Sequence, residues 1–473
     1  MNMEIVAKRS LFGGRRDTDM TEGSIPRHII TFAIPLLLGN VLQQLYNMVD
    51  TWVVGNYVSD EAFSAVGTVG PISNLLISLF VGFSTGAGVV VSQFYGAKQY
   101  DKVRDTVHTV ILISFFIGLL ITGVGIAVVP GTLRLINTPD EVMGEAVTYL
   151  TVYFAGSLGL VLYNVGSGIL RAVGDSRHPF YYLAVSTVTN MVLDLLFVLV
   201  FGMGVEGVAL ATVIAQALSA GLILFTLFKS TNCVRLELSR MRIHKDELIK
   251  VLRVSLPVSI QMMLTSFSNV FVQSYINMFG KAAMGGYTAY SKIDQLLLLP
   301  MQTIALASTT FVGQNLGKGN EQRAKQGIRV SLLMAFLCTG ILMLPVMLFA
   351  PRFVWFFNKD QEIIAYGTLF LRWISPCYLL CCVNQIYAGA LRGSGNSTAP
   401  MLLMLFSFVA FRQSYLFVMY RYISQALIPL AMSYPAGWLM ASILLTLYFR
   451  IVGLRKGRLV KDEKKDEPAE AES

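Results

Sequence analysis

Asn190 and Asp194 lie four residues apart, and an unbroken apolar run, 195–201, follows them. At that spacing two side chains share one face of a helix. Two further polar stripes accompany them. Gln43, Asn47 and Asp50 recur at i, i+4 and i+7, and Thr212 pairs with Gln216 one turn on. An Asp at membrane depth costs roughly 3 kcal/mol or more, so a pair of them needs a reason. Two carboxylates surrounded by amide and hydroxyl oxygens can share a proton, because burial and a like neighbour both disfavour two bare charges. They can equally trade that proton for a monovalent cation. The plainer alternative is that each acid only fixes helix packing through a local hydrogen bond. Two acids and two amides on such stripes exceed what packing requires.

The elements that must position these residues are membrane spans. The chain has 473 residues, 54% hydrophobic and 14% charged, against about 25% charged in soluble domains. Six apolar blocks between residues 29 and 228 and six more between 256 and 449 each approach or exceed the ~20 residues a spanning helix needs. The expected fold is an all-α polytopic membrane protein with twelve transmembrane helices. The first stretch is polar and basic (Lys8, Arg9, Arg15, Arg16) with no cleavable apolar core, so no signal peptide is expected.

A net charge of +9 does not point to nucleic acid. Most Lys and Arg fall at the N-terminus, in the tail and in the segments after even-numbered spans. By the positive-inside rule this puts both termini in the cytoplasm. Among the five cysteines, Cys377, Cys381 and Cys382 lie on one apolar segment with no His nearby, and read as small packing residues rather than a metal site. Two nucleotide-motif matches fail. Gly202-Met-Gly-Val-Glu-Gly207 sits between two spans without a βαβ unit, and Gly313-Gln-Asn-Leu-Gly-Lys318 lacks the length and the Ser or Thr of a phosphate loop. No HExxH motif or nucleophile–base pair appears, so neither an enzyme nor a cofactor is expected, and uphill work would draw on an ion gradient.

The two halves repeat. Leu170-Arg-Ala-Val-Gly-Asp-Ser-Arg-His-Pro179 matches Leu391-Arg-Gly-Ser-Gly-Asn-Ser-Thr-Ala-Pro400 at an offset of 221, which also pairs Gln93 with Gln314, Gly96 with Gly317 and Asn137 with Asn358. Pro35 and Pro257 pair at 222, implying one indel. An offset of six spans keeps both repeats in the same orientation, so two six-helix lobes should be related by an axis along the membrane normal. The expected organisation is a cytoplasmic segment 1–24, an N-lobe 25–229, a basic linker 230–246, a C-lobe 247–450 and a charged tail 451–473 with no fold of its own. The repeat copies the scaffold but not the acids, since the same offset puts Phe411 and Tyr415 opposite Asn190 and Asp194.

Leu45-Tyr-Asn-Met-Val-Asp-Thr51, Gly67 with Gln93–Gly96, and Leu170-Arg-Ala-Val-Gly-Asp175 with its second-half copy resemble the multidrug and toxic compound extrusion (MATE) transporters. The likeness runs from about Ser24 to Arg450 and is nearest to the bacterial and archaeal branch related to the DNA-damage-inducible exporters. It implies export of cationic or amphipathic small molecules across the cell membrane by a monomer, driven by H⁺ or Na⁺. It also implies an N-lobe coupling site at Asp50, Asn190, Asp194 and Thr212. Another branch carries a Glu in the seventh span and an Asp in the tenth, and this chain has neither. Gln43, Asn47, Gln216, Gln261, Asn269, Asp294 and Arg412 are the candidate cleft residues. Asp294 stands near the start of the eighth apolar block with Arg412 as a conceivable partner.

Three other readings remain. A lipid-linked glycan flippase shares this architecture but should carry several Arg or Lys in its cleft, where only Lys292, Arg372 and Arg412 fall within or near spans. A membrane enzyme lacks its reacting groups. A passive channel fits a parallel repeat with buried acids less well than alternating access does.

Overall fold

In lipid the backbone finds no water, so each apolar block satisfies its own hydrogen bonds as a helix. The computed structural model describes residues 19–136, 138–454 and 457–460. Asn137, the four N-terminal basic residues and most of the charged tail lie outside the described residues. The N-lobe spans are α1 (Ile25–Tyr57), α2 (Asp60–Gly96), α3 (Tyr100–Leu135), α4 (Asp140–Ala155 and Ser157–Ala172), α5 (Arg177–Leu195) and α6 (Val205–Lys229). The C-lobe spans are α7 (Lys245–Asn277), α8 (Lys281–Gly317), α9 (Glu321–Leu348), α10 (Gln361–Gly393), α11 (Thr398–Ile423) and α12 (Leu427–Val452). Eleven of these are long and apolar enough to cross a membrane singly, and α4 makes the twelfth as a pair bent by 46°. The two lobes repeat in parallel.

The bend in α4 falls at Gly156, where an added Cβ would stand 2.5 Å from a Val213 methyl. Asn164 and Arg171 lie on the half beyond the bend. The start of α8 differs from its apolar block. It begins at Lys281, so Asp294 sits well inside the helix rather than at its entrance. The physical reason is enclosure: 72% of the most apolar stretch of α8 is buried in protein, and a helix shielded from lipid tolerates Gly, Ala and Tyr in its first turns.

The lobes exchange the first halves of their first helices, while Val53 and Val54 of α1 and Val272 and Ile276 of α7 stay in their own lobes' cores. Ile29, Phe32, Ala33 and Leu36 of α1 belong to the C-lobe core, and Val251 and Val254 of α7 belong to the N-lobe core. The offset of 222 relates Ile29 to Val251 and Phe32 to Val254, so the exchange obeys the repeat.

Contact between lobes concentrates on the membrane side that holds both described chain ends, here the terminal side. Gln93 Nε2 donates to Gly393 O (2.9 Å) and Gln314 Nε2 donates to Ala172 O (2.8 Å). Both donor and acceptor positions are related by 221, so the two bonds form a two-fold latch. The other end of each amide is also taken. Met20 N donates to Gln314 Oε1 (3.0 Å) and Leu459 N to Gln93 Oε1 (2.8 Å). Met20 and Leu459 are thus packed beneath the latch. Met20 and Leu454 are each 1% exposed, so residues on both sides of the spans pack against the fold. Lys318 Nζ donates to Glu22 Oε1 at 2.8 Å, a bond that holds the Glu22 carboxyl below the ordinary carboxylate range.

Higher on the same interface, Ser255 Oγ donates to Phe83 O (3.1 Å) and Ser259 Oγ to Leu79 O (3.0 Å). Gly82 and Gly86 of α2 allow this approach, since a Cβ at either would stand 2.5 Å from the Cα of Ser259 or Ser255. Towards the far side this close approach is not continued. A Cβ at Gly67 or Gly70 meets nothing within 4 Å, and Phe267, Val270 and Phe271 of α7 are exposed.

Candidate functional site

The four coupling candidates converge from three helices. Asp194 closes the last turn of α5, which widens at once into a π-helical turn, 196–200. Asp50 comes from α1 and Thr212 from α6. Asn190 and Asp194 are 0% exposed, Thr212 1% and Asp50 8%. Asn190 sits at the centre. With its amide oriented to suit its neighbours, Nδ2 donates to Asp50 Oδ1 (3.1 Å) and Asp194 Oδ2 (3.3 Å), while Oδ1 accepts from Thr212 N (3.3 Å). The two carboxyls are within hydrogen-bond reach of each other. Such a pair in contact holds a proton between its oxygens or a cation in its place. Asp194 Oδ1 is buried without a hydrogen-bond partner, and a proton or a monovalent cation would satisfy it.

Tyr46, a residue the sequence reading passed over, completes the wall. Its hydroxyl donates to Thr212 Oγ1 (3.2 Å). Tyr46, Asn190 and Thr212 also line a cavity of about 460 Å³ between the lobes, whereas Asp50 and Asp194 do not. The acids therefore stand one layer behind the cavity surface.

This cavity lies on the repeat axis. Asn164 and Gln385, Arg171 and Arg392, Val81 and Gln302, and Thr85 and Leu306 all line it, and each pair is 221 apart. Of the seven cleft candidates, Gln43 and Gln216 are in the lining. Asn47 and Asn269 are exposed outside it. Gln261 lies just behind it, accepting from Arg392 Nη2 (3.0 Å). Asp294 and Arg412 are inside the C-lobe, away from the cavity.

The structure separates Asp294 from Arg412. Asp294 Oδ1 accepts from Tyr378 OH (2.5 Å) and Tyr290 OH (3.2 Å). Arg412 is 2% exposed, and its Nη2 donates to Ser268 Oγ (2.7 Å) and Asn269 Oδ1 (2.9 Å). Its guanidinium lies 5.1 Å from the Tyr434 ring centroid, and Tyr434 and Tyr287 share a 2.6 Å hydrogen bond. Aromatic hydroxyls thus stand between the two charges. Tyr378→Phe removes one of two donors from Asp294 and is expected to cost about 1–3 kcal/mol, read as a lower unfolding temperature of the purified protein.

The repeat register also needs correcting here. A π-helical turn at Phe406–Phe411 inserts one residue into α11, so beyond it the offset becomes 222. Arg412 and Leu416, both nearly inaccessible, then take the places of Asn190 and Asp194, and Phe411 and Tyr415 turn to half-exposed positions. By the same offset Val272 replaces Asp50. The C-lobe thus carries a fixed guanidinium and two aliphatic side chains where the N-lobe carries an amide and two acids.

A model of the family described as MatE matches residues 35–196 and 257–413, one segment in each lobe. The chain belongs to the MatE family. It is a membrane transporter rather than an enzyme. Among its relatives are the probable multidrug resistance protein YoeA of Bacillus subtilis, 29% identical over 92% of this chain and 95% of that one, and the probable multidrug resistance protein NorM of Thermotoga maritima, 28% identical over 90% and 92%. A MOP superfamily transporter from Pyrococcus furiosus shares the fold at a TM-score of 0.88 with 24% identity, covering 94% of this chain and 100% of that one.

Within this MatE scaffold the residues missed from sequence are instructive. Arg171 and Arg392 belong by sequence to the basic segments after the fourth and tenth spans, yet both line the cavity. The count of cleft cations set against a flippase rested on Lys292, Arg372 and Arg412, and the cavity holds none of these three. The usable signal was the repeat itself, because both arginines occupy the same place in the duplicated motif.

Proposed function

We propose that this protein is a secondary active multidrug exporter in the cell membrane, coupled to H⁺ or Na⁺ through Asp50, Asn190, Asp194 and Thr212. One observation carries the reading: Asn190 and Thr212 are at once members of the acid cage and part of the substrate cavity wall. Filling the cage lowers the negative charge of the acid pair and lets α1, α5 and α6 pack closely. Emptying it leaves charge that attracts water or a substrate through that wall. Ion and substrate thus favour different states, which is what coupling requires. With both termini cytoplasmic, as the charge distribution argues, the latch closes the cytoplasmic side and the cavity opens outward.

The cavity suits amphipathic compounds, since amides and hydroxyls alternate with Leu36, Leu183, Leu299 and Met262. A cationic substrate would find its counter-charge in the acid pair one layer deeper. The test is a reconstituted vesicle bearing an imposed pH or sodium gradient. Uphill movement of an amphipathic dye under either gradient is expected. Lipid-linked glycan translocation without it would favour the flippase.

A further inference from the structure

The cavity has an imbalance of charge. Among the described residues its lining contains Arg171 and Arg392 but no Asp, Glu, Lys or His. Among the described residues neither guanidinium pairs with a carboxylate. Arg171 Nη2 donates to Ser84 Oγ (3.3 Å), Arg392 Nη2 donates to Gln261 Oε1 (3.0 Å), and Arg392 Nε is buried with no partner. Each arginine lies in the last turn of its helix segment, where the backbone dipole offers partial compensation. Both side chains are half-buried at the cavity wall, and that compensation is small beside the cost of partly desolvating an unpaired charge.

Their location gives the charge a use. Ala172 and Gly393, whose carbonyls accept the latch bonds, directly follow Arg171 and Arg392 in the chain. One arginine from each lobe therefore stands at the floor of the cavity, beside the contacts that close it. A guanidinium matches carboxylate or phosphate oxygens with two parallel N–H donors. Asn164 and Gln385, also one from each lobe, add amide donors nearby.

We propose that Arg171 and Arg392 form an anion subsite, and that the transported molecules include amphipathic organic anions whose carboxylate or phosphate is held between the lobes. This rests on the export reading above and names a substrate class for it. An anion at this floor offsets one positive charge contributed by each lobe. Its binding should therefore favour the latched state.

The anionic group has two possible sources, a soluble aromatic compound or a lipid phosphate, and two probes distinguish them. Affinities of carboxyfluorescein and dodecyl phosphate are measured by fluorescence anisotropy and displacement on the full chain in nanodiscs, with ethidium as the cationic comparison. At least one anion is expected to bind, and its identity names the source. R171Q and R392Q should each weaken it roughly tenfold and the double variant roughly a hundredfold. Ethidium should bind the double variant more tightly, because positive charge has left the cavity. Lysine at both positions should retain part of the anion affinity. Two results overturn the proposal: neither anion preferring wild type over the double glutamine variant, or anion and ethidium affinity falling together, which would reduce the arginines to packing. The measurement needs no gradient, so its failure is distinct from a failure of ion coupling, which Asp194→Asn tests alone.

Discussion

Asp194→Asn is expected to reduce gradient-driven export to the leak rate while leaving the protein folded. The side chain keeps its shape but can no longer lose a proton or give a charge to a cation. Its neighbours tolerate the change, since among the described residues Asp194 Oδ1 has no hydrogen-bond partner to lose and Oδ2 accepts from Asn190. In effect the cage would lose one of its two ionisable groups and with it the ion the two carboxyls hold together, so the two ends of the transport cycle would no longer differ in that ion. Asp50→Asn should behave alike, because Asn190 bridges both acids. Dye export by reconstituted variants, read beside their unfolding temperatures, checks this. Export by Asp194→Asn at the wild-type rate would sink the coupling site.

The second large effect should come from far outside the cage. A Cβ at Gly96 would stand 1.9 Å from Gln314 O, and one at Gly317 would stand 2.0 Å from Gln93 O. Both obstacles are backbone, so no side chain can swing aside, and α2 and α8 must separate where the latch closes. Overpacking of this kind costs about 1–3 kcal/mol per site, or roughly ten- to a hundredfold in the ratio of two conformations. Gly96→Ala with Gly317→Ala should therefore open the terminal side, seen as longer distances between spin labels at the ends of these helices. Gly67→Ala is the control, since its Cβ meets nothing within 4 Å and alanine favours the helix. Unchanged label distances in the double variant would mean the glycines do not govern closure.

Much of this was legible in the chain because lipid imposes simple rules. Length and hydropathy decide how many helices cross, and the offset of 221 decided how the lobes are related. Asn190 and Asp194 stood out because an acid and an amide at i and i+4 in an apolar run have few neutral explanations. Less legible was anything that depends on helix rotation or enclosure. Arg412 shifted into the place of Asn190 because a π-helical turn adds one residue, and composition does not mark such a turn. Asp294 moved to mid-helix because α8 is shielded by protein, so its first turns need not be apolar. Arg171 and Arg392 looked like loop charges because positive-inside counting assigns a side of the membrane, not a direction within the protein. The latch glutamines were visible as a repeated pair, but their role required seeing Ala172 and Gly393 across the lobe boundary.

The coupling cage is tested most directly by counting ions rather than transport. Purified wild-type protein, mixed with a saturating transported dye, should release H⁺ or Na⁺ in proportion to the dye bound, read by a pH indicator in weak buffer or by displaced radioactive sodium. Asp194→Asn should bind the dye and release neither. Release that persists in Asp194→Asn, or dye binding by wild type with no ion displaced, would contradict the account.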